Sequence, residues 1–533
     1  MLKLPPLFDA NGQIGAGARS RPDFAACADL LAQMDRLGIA RSLVWRSQAR
    51  DQHPPTGNAR LLEELTSLSE PQRRRLVPSL VICPAMMYEQ GSVEGLIAQM
   101  KQGIRALRVF PVTLRHRLHH LAPLLEKLAE FNPVILLDIR EVSNDQDLLE
   151  LAGGFPQTPI ICMHGMWPHL FNLSLLHVMS QRENVLIDLS WQHTGGTTEM
   201  IVRRLGAGRI VFATGWKAHN GASIGHLQNA GIDDSARAAI AHGNLDKLLG
   251  LAPTVEQPKA EDRLGPELWK NFRAGKLPPG QIIDAHAHLG AAGIWPREEA
   301  SREAQAKTFV QIMDRLNIAT TFISGQDALL GEPLPGNRLL EKTLEPYGDR
   351  FRGYFGFNAL YADELAPHLE EFFRRPFWAG LKLLCDYWQV PVTDPRFGPA
   401  YAFAQAHRLP ILLHTWEGPY DSPAMLAAVA PKYPGASFLL AHSGGGDVGR
   451  REAVELVKAT SNVYLEFCGS FCSSIPYEDT LRQVGSDRVV FGTDALGHGT
   501  DWELARLLSL DLPADAILPV LGANMRRILS ARK

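Results

Sequence analysis

The feature that most limits how this chain can fold is an internal repeat. The segment Met34–Ala40 (MDRLGIA) returns as Met313–Ala319 (MDRLNIA), and positions 34 and 313 are 279 residues apart. Two further pairs recur at nearly the same distance, Gly208–Gly215 with Ser486–Asp494 and Asn184–Asp188 with Asn462–Glu466. Because this period is far longer than a solenoid unit, it indicates two copies of one domain in a single chain.

The length of the chain agrees with two domains. A chain of 533 residues exceeds what one hydrophobic core usually sustains, and each half is long enough to form a complete domain of about 250 residues. A stretch rich in proline and charge lies between the copies. The sequence therefore predicts a first domain over residues 1–252, a linker over 253–280 and a second domain over 281–533.

Short apolar and β-branched runs alternate with longer helical stretches in the second copy, as in βα units around a parallel sheet. Eight such runs occur over about 250 residues, which is the size and order of a TIM barrel. The runs are 282–284, 320–323, 353–356, 380–383, 411–414, 438–442, 463–466 and 489–494. The predicted fold class is α/β, with two tandem TIM (β/α)8 barrels.

Composition excludes several classes of protein. With 45% hydrophobic and 21% charged residues the chain has the composition of a globular domain, and a net charge of -3 gives no sign of a nucleic-acid partner. No apolar run approaches the roughly 20 residues that a membrane span needs, and the N-terminus lacks the features of a leader. We expect a cytoplasmic protein without a membrane partner.

The cysteines give little sign of chemistry in the sequence. Four of the six lie in apolar strand-like runs, where reduced core cysteines are common. Cys468 and Cys472 are the only close pair, and their spacing is one residue too long for the usual redox or zinc-knuckle motif. We therefore expect no disulfides and assign these two cysteines no metal site.

Histidines and one aspartate fall at the ends of the predicted strands. His286 and His288 are two residues apart on the first strand, so both side chains project from the same side of it. His414 and His442 end the fifth and sixth strands, and Asp494 ends the eighth. Barrel closure brings strand ends to one mouth, and a His-rich set with one carboxylate is what zinc or a similar divalent ion prefers. Any one of these histidines alone is better explained as a hydrogen-bonded core residue.

On these motifs the second half resembles the amidohydrolase superfamily, specifically its amidohydrolase-related branch of hydrolases and nonoxidative decarboxylases. The segments that carry the resemblance are Ile283–His288, Gly380–Lys382, Pro410–His414, Ala441–Gly445, Phe491–Ala495 and Gly522–Asn524. The resemblance implies that His286, His288, His414 and Asp494 hold one divalent metal, with zinc expected and manganese or another transition metal as alternatives. It also implies that His442 bonds the water or the substrate and that Asp494 moves protons.

The function expected first is hydrolysis of an amide, lactone or ester of a small, cyclic or aromatic molecule through a metal-activated water. Relatives also carry out nonoxidative decarboxylation of aromatic or enoic carboxylates on the same metal set, so this reaction stays open. A binding scaffold without catalysis is the third alternative. It is disfavoured because the second half keeps every expected ligand.

Two more residues of the second half are expected at the substrate. Lys382 ends the fourth strand and has three interpretations: a contact to a substrate anion, an ammonium paired with Asp386 or Glu466, or a carboxylated bridge between two ions. Glu466 has an alternative interpretation, in which its carboxylate orients a metal ligand through a hydrogen bond. Trp416 and Tyr387 follow neighbouring strands and are expected to border the pocket, although ordinary loop packing explains them equally well.

The first half has replaced the residues that carry this chemistry. Asn11 and Gln13 stand where the second half has its paired histidines, and amides are poor zinc ligands. At the other positions Asp138 stands over His414, His164 over His442, Arg108 over Lys382 and Gly215 over Asp494. We predict that this half binds no catalytic metal.

The retained first half has two explanations. The first is structural: the two halves form an intramolecular pseudo-dimer, with further homo-oligomerisation also open. The second is an anion-binding pocket formed by Arg46, Arg108 and Arg140. Against the pocket, Asp138, Glu141 and Asp188 lie close enough in the strand pattern to neutralise these arginines.

Overall fold

A computed structural model describes residues 4–18, 23–164, 172–190, 196–214, 220–255, 264–291, 301–469, 474–495 and 497–532 of the chain. The chain divides into two compact units. The first comprises Met1–Gly265 with Arg273–Gly275, and the second comprises Pro266–Phe272 with Lys276–Lys533. The predicted linker 253–280 contains a helix, Glu267–Arg273.

The first unit is built on an eight-stranded parallel sheet whose strands follow one another in chain order. Its strands are β1 Phe8–Ile14, β2 Arg41–Arg46, β3 Leu76–Val81, β4 Ala106–Val109, β5 Val134–Asp138, β6 Ile160–Met163, β7 Val185–Asp188 and β8 Ile210–Val211. Consecutive order without a crossover is the topology of a (β/α)8 barrel.

The second unit repeats this topology with a second eight-stranded parallel sheet. Its strands are β9 Ile282–Leu289, β10 Ile318–Gly325, β11 Phe351–Gly356, β12 Trp378–Leu383, β13 Pro410–His414, β14 Ser437–Ala441, β15 Val463–Glu466 and β16 Val489–Val490. Each predicted run coincides with one of these strands. The bounds differ most at two of them: β9 extends five residues beyond the run 282–284, and the last four residues of the run 489–494 lie beyond β16.

Helices alternate with the strands in both units. In the first unit the α-helices are Cys27–Leu37, Ser47–Asp51, Pro54–Ser67, Glu70–Arg73, Ser92–Lys101, Ala122–Leu128, Asp145–Gly154, Asn172–Gln181, Thr197–Leu205, Ala222–Asn229, Asp234–Ala238 and Asn244–Leu249. After Glu267–Arg273 they are Arg302–Leu316, Gln326–Leu330, Pro333–Leu344, Ala362–Leu365, Leu369–Phe373, Cys385–Trp388, Gly398–His407, Pro423–Leu426, Asp447–Ala459, Ser474–Val484, Thr500–Leu508, Ala514–Ile517 and Asn524–Ser530. Among the described residues, no helix combines the length and apolar character needed to cross a bilayer.

Hydrogen bonds between the first and last strand regions close each sheet. In the second unit Ala285 N donates to Phe491 O at 2.8 Å. The Asp284 carboxylate then accepts from the His286 N–H and, at 2.6 Å, from the Thr493 hydroxyl. This buried aspartate therefore ties the first strand to the chain beyond β16. It fixes the backbone next to the paired histidines.

The first unit is closed by equivalent bonds. Ala10 N donates to Phe212 O at 3.0 Å. Asp9 accepts from the Asn11 N–H and, at 2.6 Å, from the Thr214 hydroxyl. The bonds that close the barrel have thus been kept in both units.

The interior of each barrel is filled by apolar side chains from alternate strand positions, as expected for parallel strands buried on both faces. In the second unit this core includes Phe322, Tyr354, Leu412 and Leu439. The strand ends above this core carry the polar residues. The fold prediction of two α/β barrels is confirmed.

Candidate metal centre

Three of the expected ligands come together in the second barrel. His286 and His288 project from the end of β9, and Asp494 lies four residues beyond the end of β16. All three side chains are buried, at 8% exposure or less. Their ligand atoms form a group close enough to share one ion.

The separations of these atoms fit a metal ion. His286 Nε2 lies 3.2 Å from His288 Nε2, and Asp494 Oδ1 lies 3.4 Å and 3.0 Å from these two nitrogens. Atoms bonded to one tetrahedral ion at about 2.1 Å lie about 3.4 Å from each other. The triangle is therefore the right size for one divalent ion.

His286 and His288 are each oriented by a polar contact at the Nδ1 atom of the ring. His286 Nδ1 donates to Glu466 Oε2 at 2.9 Å, and His288 Nδ1 lies 2.8 Å from the Ser324 hydroxyl. Gly492 makes room for the first contact, because a Cβ there would lie 2.7 Å from Glu466 Cδ. An anchored Nδ1 leaves the Nε2 lone pair for an ion, which is the usual arrangement of metal-bound histidine.

The other two histidines are anchored in the same way. His414 Nδ1 lies 2.8 Å from Asp421 Oδ2, and His442 Nδ1 donates to the Cys468 carbonyl oxygen at 2.7 Å. The His414 and His442 rings lie 5.0 Å apart. Four histidines thus present Nε2, rather than Nδ1, to a ligand.

His414 lies outside the closest ligand groups. Among the described residues, those groups combine His286, His288 and Asp494; His442, Cys468 and Asp494; or His286, Glu466 and Cys468. The bond from His414 to Asp421 still orients its ring beside His442. The role of His414 as the fourth ligand therefore stays a prediction.

Asp494 is held in an unusual backbone conformation. Its φ of 54° lies in the left-handed region, where Asp and Asn are better tolerated than most residues. Oδ2 lies 3.2 Å from His498 Nε2, while Oδ1 faces the paired histidines. Burial works to raise the pKa of this carboxyl, but the charge of His286 and hydrogen bonds from His288 and His498 hold it well below its ordinary value. Asp494 is therefore ionised.

Lys382 reaches the same centre from β12. Its side chain is fully buried, and Nζ lies 2.9 Å from His286 Nε2. Burial lowers the pKa of this ammonium to about 8, although the carboxylate of Asp494 acts in the opposite direction. The amine thus lies where a substrate anion or a metal-site group would meet it. Its hydrogen bond is with His286, rather than with Asp386 or Glu466.

Aromatic rings border the centre on one side. The Trp416 indole stacks on His414 with centroids 6.2 Å apart, and it lies 5.8 Å from the His442 ring. The half-exposed Tyr387 ring meets His414 edge-on at 5.5 Å. Gly445 receives the indole, because a Cβ there would lie 2.5 Å from Trp416 Cδ2. The two rings thus lie against the His414 and His442 imidazoles.

Several residues around the centre were missed by the sequence analysis. They are Ser324, Asp421, Cys468, His498 and Glu503, and all are buried. One indication for His498 was present in the sequence, namely its position four residues after Asp494. Cys468 was expected to have no metal role, yet its Sγ lies 3.1 Å from His286 Nδ1. Cys472, which forms the close pair with Cys468 in the sequence, lies outside the described residues.

The equivalent position in the first barrel is occupied by a buried arginine. Arg108 Nη1 donates to Asn11 Oδ1 at 3.0 Å, and its Nη2 donates to the Ala10 carbonyl. His164 Nδ1 lies 3.4 Å from Asp138 Oδ2. A fixed guanidinium thus contacts the residue that replaces His286. Gly215 lies outside the described residues.

The arginines suggested as an anion pocket make other bonds. Arg46 Nη1 lies 2.5 Å from Glu64 Oε2, and Arg140 is paired with Asp138. Glu141 accepts from the Thr113 hydroxyl at 2.6 Å. Two of the three guanidinium groups are therefore neutralised by carboxylates. Arg108 is held by Asn11 and the main chain instead.

Asp188 gives a prediction for the pH dependence of the first barrel. Burial raises the pKa of its carboxyl to about 8, although bonds from Ser190 and the His164 N–H act in the opposite direction. Since an unfolded aspartate has a pKa of about 3.9, the folded state binds more protons between roughly pH 4 and 8. The Asp188 contribution to the unfolding free energy should therefore fall as pH rises through that window.

Denaturant unfolding at several pH values checks this expectation. Asp188→Asn should flatten the decline of stability between roughly pH 4 and 8, because the amide cannot lose a proton. The Asp145→Asn change, at a partly exposed aspartate, serves as the control and should leave the decline in place. An Asp188→Asn protein with the same pH slope as the parent would contradict the assignment.

The fold and the centre together define the class: an α/β barrel with buried histidines and a carboxylate at the strand ends, of the kind that binds divalent metals. Residues 283–530 match the sequence profile of the amidohydrolase family. The matched residues lie in the second barrel. The match includes the paired histidines, Lys382, His414, His442 and Asp494. No curated protein matches the chain.

Solved structures resemble one barrel of the chain. A TIM-barrel protein of uncharacterised function from Bordetella bronchiseptica is 19% identical, with 47% of this chain and 99% of that chain covered and a TM-score of 0.40. A dihydroxybenzoic acid decarboxylase from Polaromonas sp. JS666, solved with manganese and 2-nitroresorcinol, is 16% identical, with 47% and 97% covered and a TM-score of 0.38. A 5-carboxyvanillate decarboxylase from Sphingomonas paucimobilis is 14% identical, with 47% and 99% covered and a TM-score of 0.37. Likeness at this level does not determine the reaction.

Proposed function

We propose that the second barrel is a metal-dependent hydrolase of a small-molecule amide, lactone or ester. The observation that carries this proposal is the triangle of His286 Nε2, His288 Nε2 and Asp494 Oδ1, whose sides of 3.0 to 3.4 Å match the spacing of ligands around one ion. The anchored Nδ1 atoms behind the histidines support it, because they fix the ring orientation that an ion requires.

The proposed ligands are His286, His288, His414 and Asp494, with zinc as the ion. Zinc is favoured because the set is rich in nitrogen, while manganese is the alternative. When bound, a divalent ion polarises a carbonyl and lowers the pKa of a water from 15.7 toward about 7. The remaining chemistry belongs to side chains of the barrel.

Asp494 is the proposed proton carrier. Its low pKa keeps it ionised and able to accept a proton from the attacking water, and it then returns the proton to the leaving group. His498 Nε2, 3.2 Å from Oδ2, holds the carboxylate in the orientation for this transfer.

His442 is proposed to bond the substrate oxygen. Burial lowers the pKa of this imidazole to about 3, so the ring is neutral. Its Nδ1 donates to the Cys468 carbonyl, which places the proton on Nδ1 and leaves Nε2 as an acceptor. His442 therefore accepts a hydrogen bond from a water or a substrate hydroxyl. It does not serve as a cationic donor.

Lys382 and Trp416 are the proposed substrate contacts. The buried ammonium of Lys382 offers charge to an anionic group, and the Trp416 indole packs against a planar one. A planar carboxylate would use both contacts. This combination favours nonoxidative decarboxylation of an aromatic or enoic carboxylate as the second candidate function.

Product analysis separates the two candidates. The metal-loaded protein would be offered small cyclic amides, lactones and esters on one side and aromatic carboxylates on the other. Hydrolysis without released carbon dioxide supports the first proposal, and carbon dioxide from a carboxylate supports the second. If neither class turned over while the metal was bound, the binding scaffold would become the better account of the second barrel.

Glu466 gives a prediction for metal affinity. Its Oε2 accepts from His286 Nδ1, so Glu466→Gln should weaken metal binding by about 10- to 100-fold. Competition with a chromogenic chelator measures the change. Glu341→Gln, which alters a partly exposed ion pair with Arg375, is the matched control. Equal affinity in the parent and the Glu466→Gln variant would show that this contact does not support the site.

For the first barrel we propose a structural role without a catalytic metal. The corresponding positions of the first barrel already carry side chains that are hydrogen-bonded to each other. Arg108 donates to Asn11, and Asp138 accepts from Arg140. The intramolecular pseudo-dimer and a cytoplasmic location remain predictions. They agree with the composition of the chain, but they add nothing to the argument for the metal centre.

A further inference from the structure

The backbone that orients His442 is itself held by an ion pair to which the proposed chemistry gives no role. His442 Nδ1 donates to the Cys468 carbonyl oxygen, a main-chain atom, at 2.7 Å. The other three histidines of the centre contact side chains through Nδ1 instead. The orientation of the His442 ring therefore depends on how the turn at residues 467–469 is held.

Glu503 and Arg506 hold this turn from the helix Thr500–Leu508. Both side chains are buried, at 3% and 1% exposure. Glu503 Oε1 accepts from the Gly469 N–H at 2.9 Å, and Arg506 Nη2 donates to the Phe467 carbonyl oxygen. The same Nη2 lies 3.0 Å from Glu503 Oε2. The pair thus fixes the main chain on both sides of the carbonyl that faces the histidine.

Gly469 shows how closely the turn approaches the rings. Its φ is 62°, and a Cβ there would lie 3.1 Å from His442 Nδ1 and 3.0 Å from His498 Nε2. Only glycine combines this conformation with so close an approach. A small movement of the turn would therefore change the contact that the His442 ring makes.

A buried ion pair is a costly means of holding a turn. Taking two charges out of water costs free energy that their attraction repays only in part, and apolar residues of similar volume are often as stabilising or more so. The first barrel has apolar residues at these positions. At the repeat distance of 279 residues, Ile224 and Leu227 stand where the second barrel has Glu503 and Arg506.

The matching histidine of the first barrel has a different contact at Nδ1. His164 stands over His442, but its Nδ1 lies 3.4 Å from Asp138 Oδ2, a side-chain atom. The ion pair thus occurs in the barrel whose histidine is oriented by the main chain. It is replaced in the barrel whose histidine lies beside a carboxylate.

We propose that Glu503 and Arg506 are positioning residues for His442. They hold the Cys468 carbonyl so that the imidazole keeps its proton on Nδ1 and presents Nε2 as an acceptor, because the hydrogen bond at one ring nitrogen determines the tautomer. The inference rests on the proposed function for what Nε2 then binds. The tautomer itself can be measured without turnover.

The first barrel supplies the substitutions for the test, Glu503→Ile together with Arg506→Leu. Nitrogen-15 NMR of the histidine rings in the full-length protein, with and without zinc, reports the tautomer, because protonated and unprotonated ring nitrogens differ in chemical shift. His442→Gln assigns the signals by removing them. We expect Nδ1–H in the parent and a shift toward Nε2–H in the double variant.

Turnover and stability should change in different directions in this double variant. The value of kcat should fall by about 10- to 100-fold, as for other changes to groups that orient an active-site histidine. The free energy of unfolding should equal or exceed that of the parent, since the pair is replaced by apolar residues rather than broken. A merely structural role for the pair would leave the His442 tautomer unchanged.

Two control variants should keep the parent tautomer and rate. Glu455→Ile with Lys458→Leu removes an exposed ion pair of the same spacing, three residues apart on a helix. Arg506→Lys keeps a cation that can contact both Glu503 and the Phe467 carbonyl, because a single nitrogen of Arg506 makes both contacts.

Nε2–H in the parent, or an unchanged Nδ1–H signal in the folded double variant, would overturn the proposal. The expected tautomer shift in a protein whose parent turns over no substrate would support the positioning role and count against the proposed function. If the double variant does not fold, Glu503→Gln with Arg506→Leu replaces it. This variant keeps an acceptor for the Gly469 N–H and releases the Phe467 carbonyl, so mixed tautomers are expected, and the parent tautomer alone would overturn the proposal.

Discussion

Asp494→Asn should abolish turnover without unfolding the protein. The amide cannot accept the proton that Asp494 is proposed to carry, and it is a weaker metal ligand, so we expect the rate to fall by about 10²- to 10⁴-fold. The backbone should tolerate the change, since asparagine adopts the left-handed conformation at φ 54° as readily as aspartate. Steady-state kinetics on the substrate class identified by product analysis measures the loss.

The control for this variant is Asp487→Asn, an exposed aspartate just before β16. It should keep the parent rate. Circular dichroism and metal analysis of both variants separate a chemical loss from a structural one. Should Asp494→Asn keep more than about a tenth of the parent rate with metal bound, proton transfer through Asp494 would have to be abandoned.

Arg108→Met should destabilise the first barrel strongly. Burial lowers the pKa of the Arg108 guanidinium to about 10, although the carboxyl groups of Asp9, Asp138 and Asp188 act in the opposite direction. Removing one partner from a buried charge network leaves the others uncompensated, at a cost of about 3 to 5 kcal/mol. Methionine keeps most of the volume, so the loss reports on charge and hydrogen bonds.

Hydrogen exchange measures this loss in each barrel separately, because peptides from the two units are distinct in sequence. Protection should fall in β1, β4 and β5 and remain unchanged in β9–β16. Arg117→Met, at an exposed ion pair with Asp147, is the control and should cost less than about 1 kcal/mol. Unchanged protection in the Arg108→Met protein would contradict the structural role given to this arginine.

The fold was predictable because it depends on local patterns. Buried parallel strands appear as short apolar runs, and all eight runs of the second half coincide with strands. The repeat then extended the same fold to the first half. The early end of β16 has a physical reason: Asp494 adopts the left-handed region and faces the histidines, which a continued strand would not allow.

The candidate site was predictable only in part. His286 and His288 could be predicted from the sequence, because a spacing of two on a strand places both rings on one side. Cys468 was dismissed because it was compared with Cys472 along the chain, whereas its neighbour in space is His286, 182 residues earlier. Asp421 and Ser324 were missed because their contacts leave no local pattern: Asp421 lies in the loop seven residues after His414, and Ser324 lies beside His288 on the neighbouring strand.

The measurement that tests the central claim most directly is metal content per chain after saturation and removal of loosely held ions. It would compare the parent, a His286→Ala, His288→Ala double variant and an Asn11→Ala, Gln13→Ala double variant of the first barrel. We predict at least one divalent ion in the parent, the same content in the first-barrel variant and about one ion fewer in the histidine variant. Equal metal content in the parent and the histidine variant, or none in either, would contradict a catalytic metal centre in the second barrel.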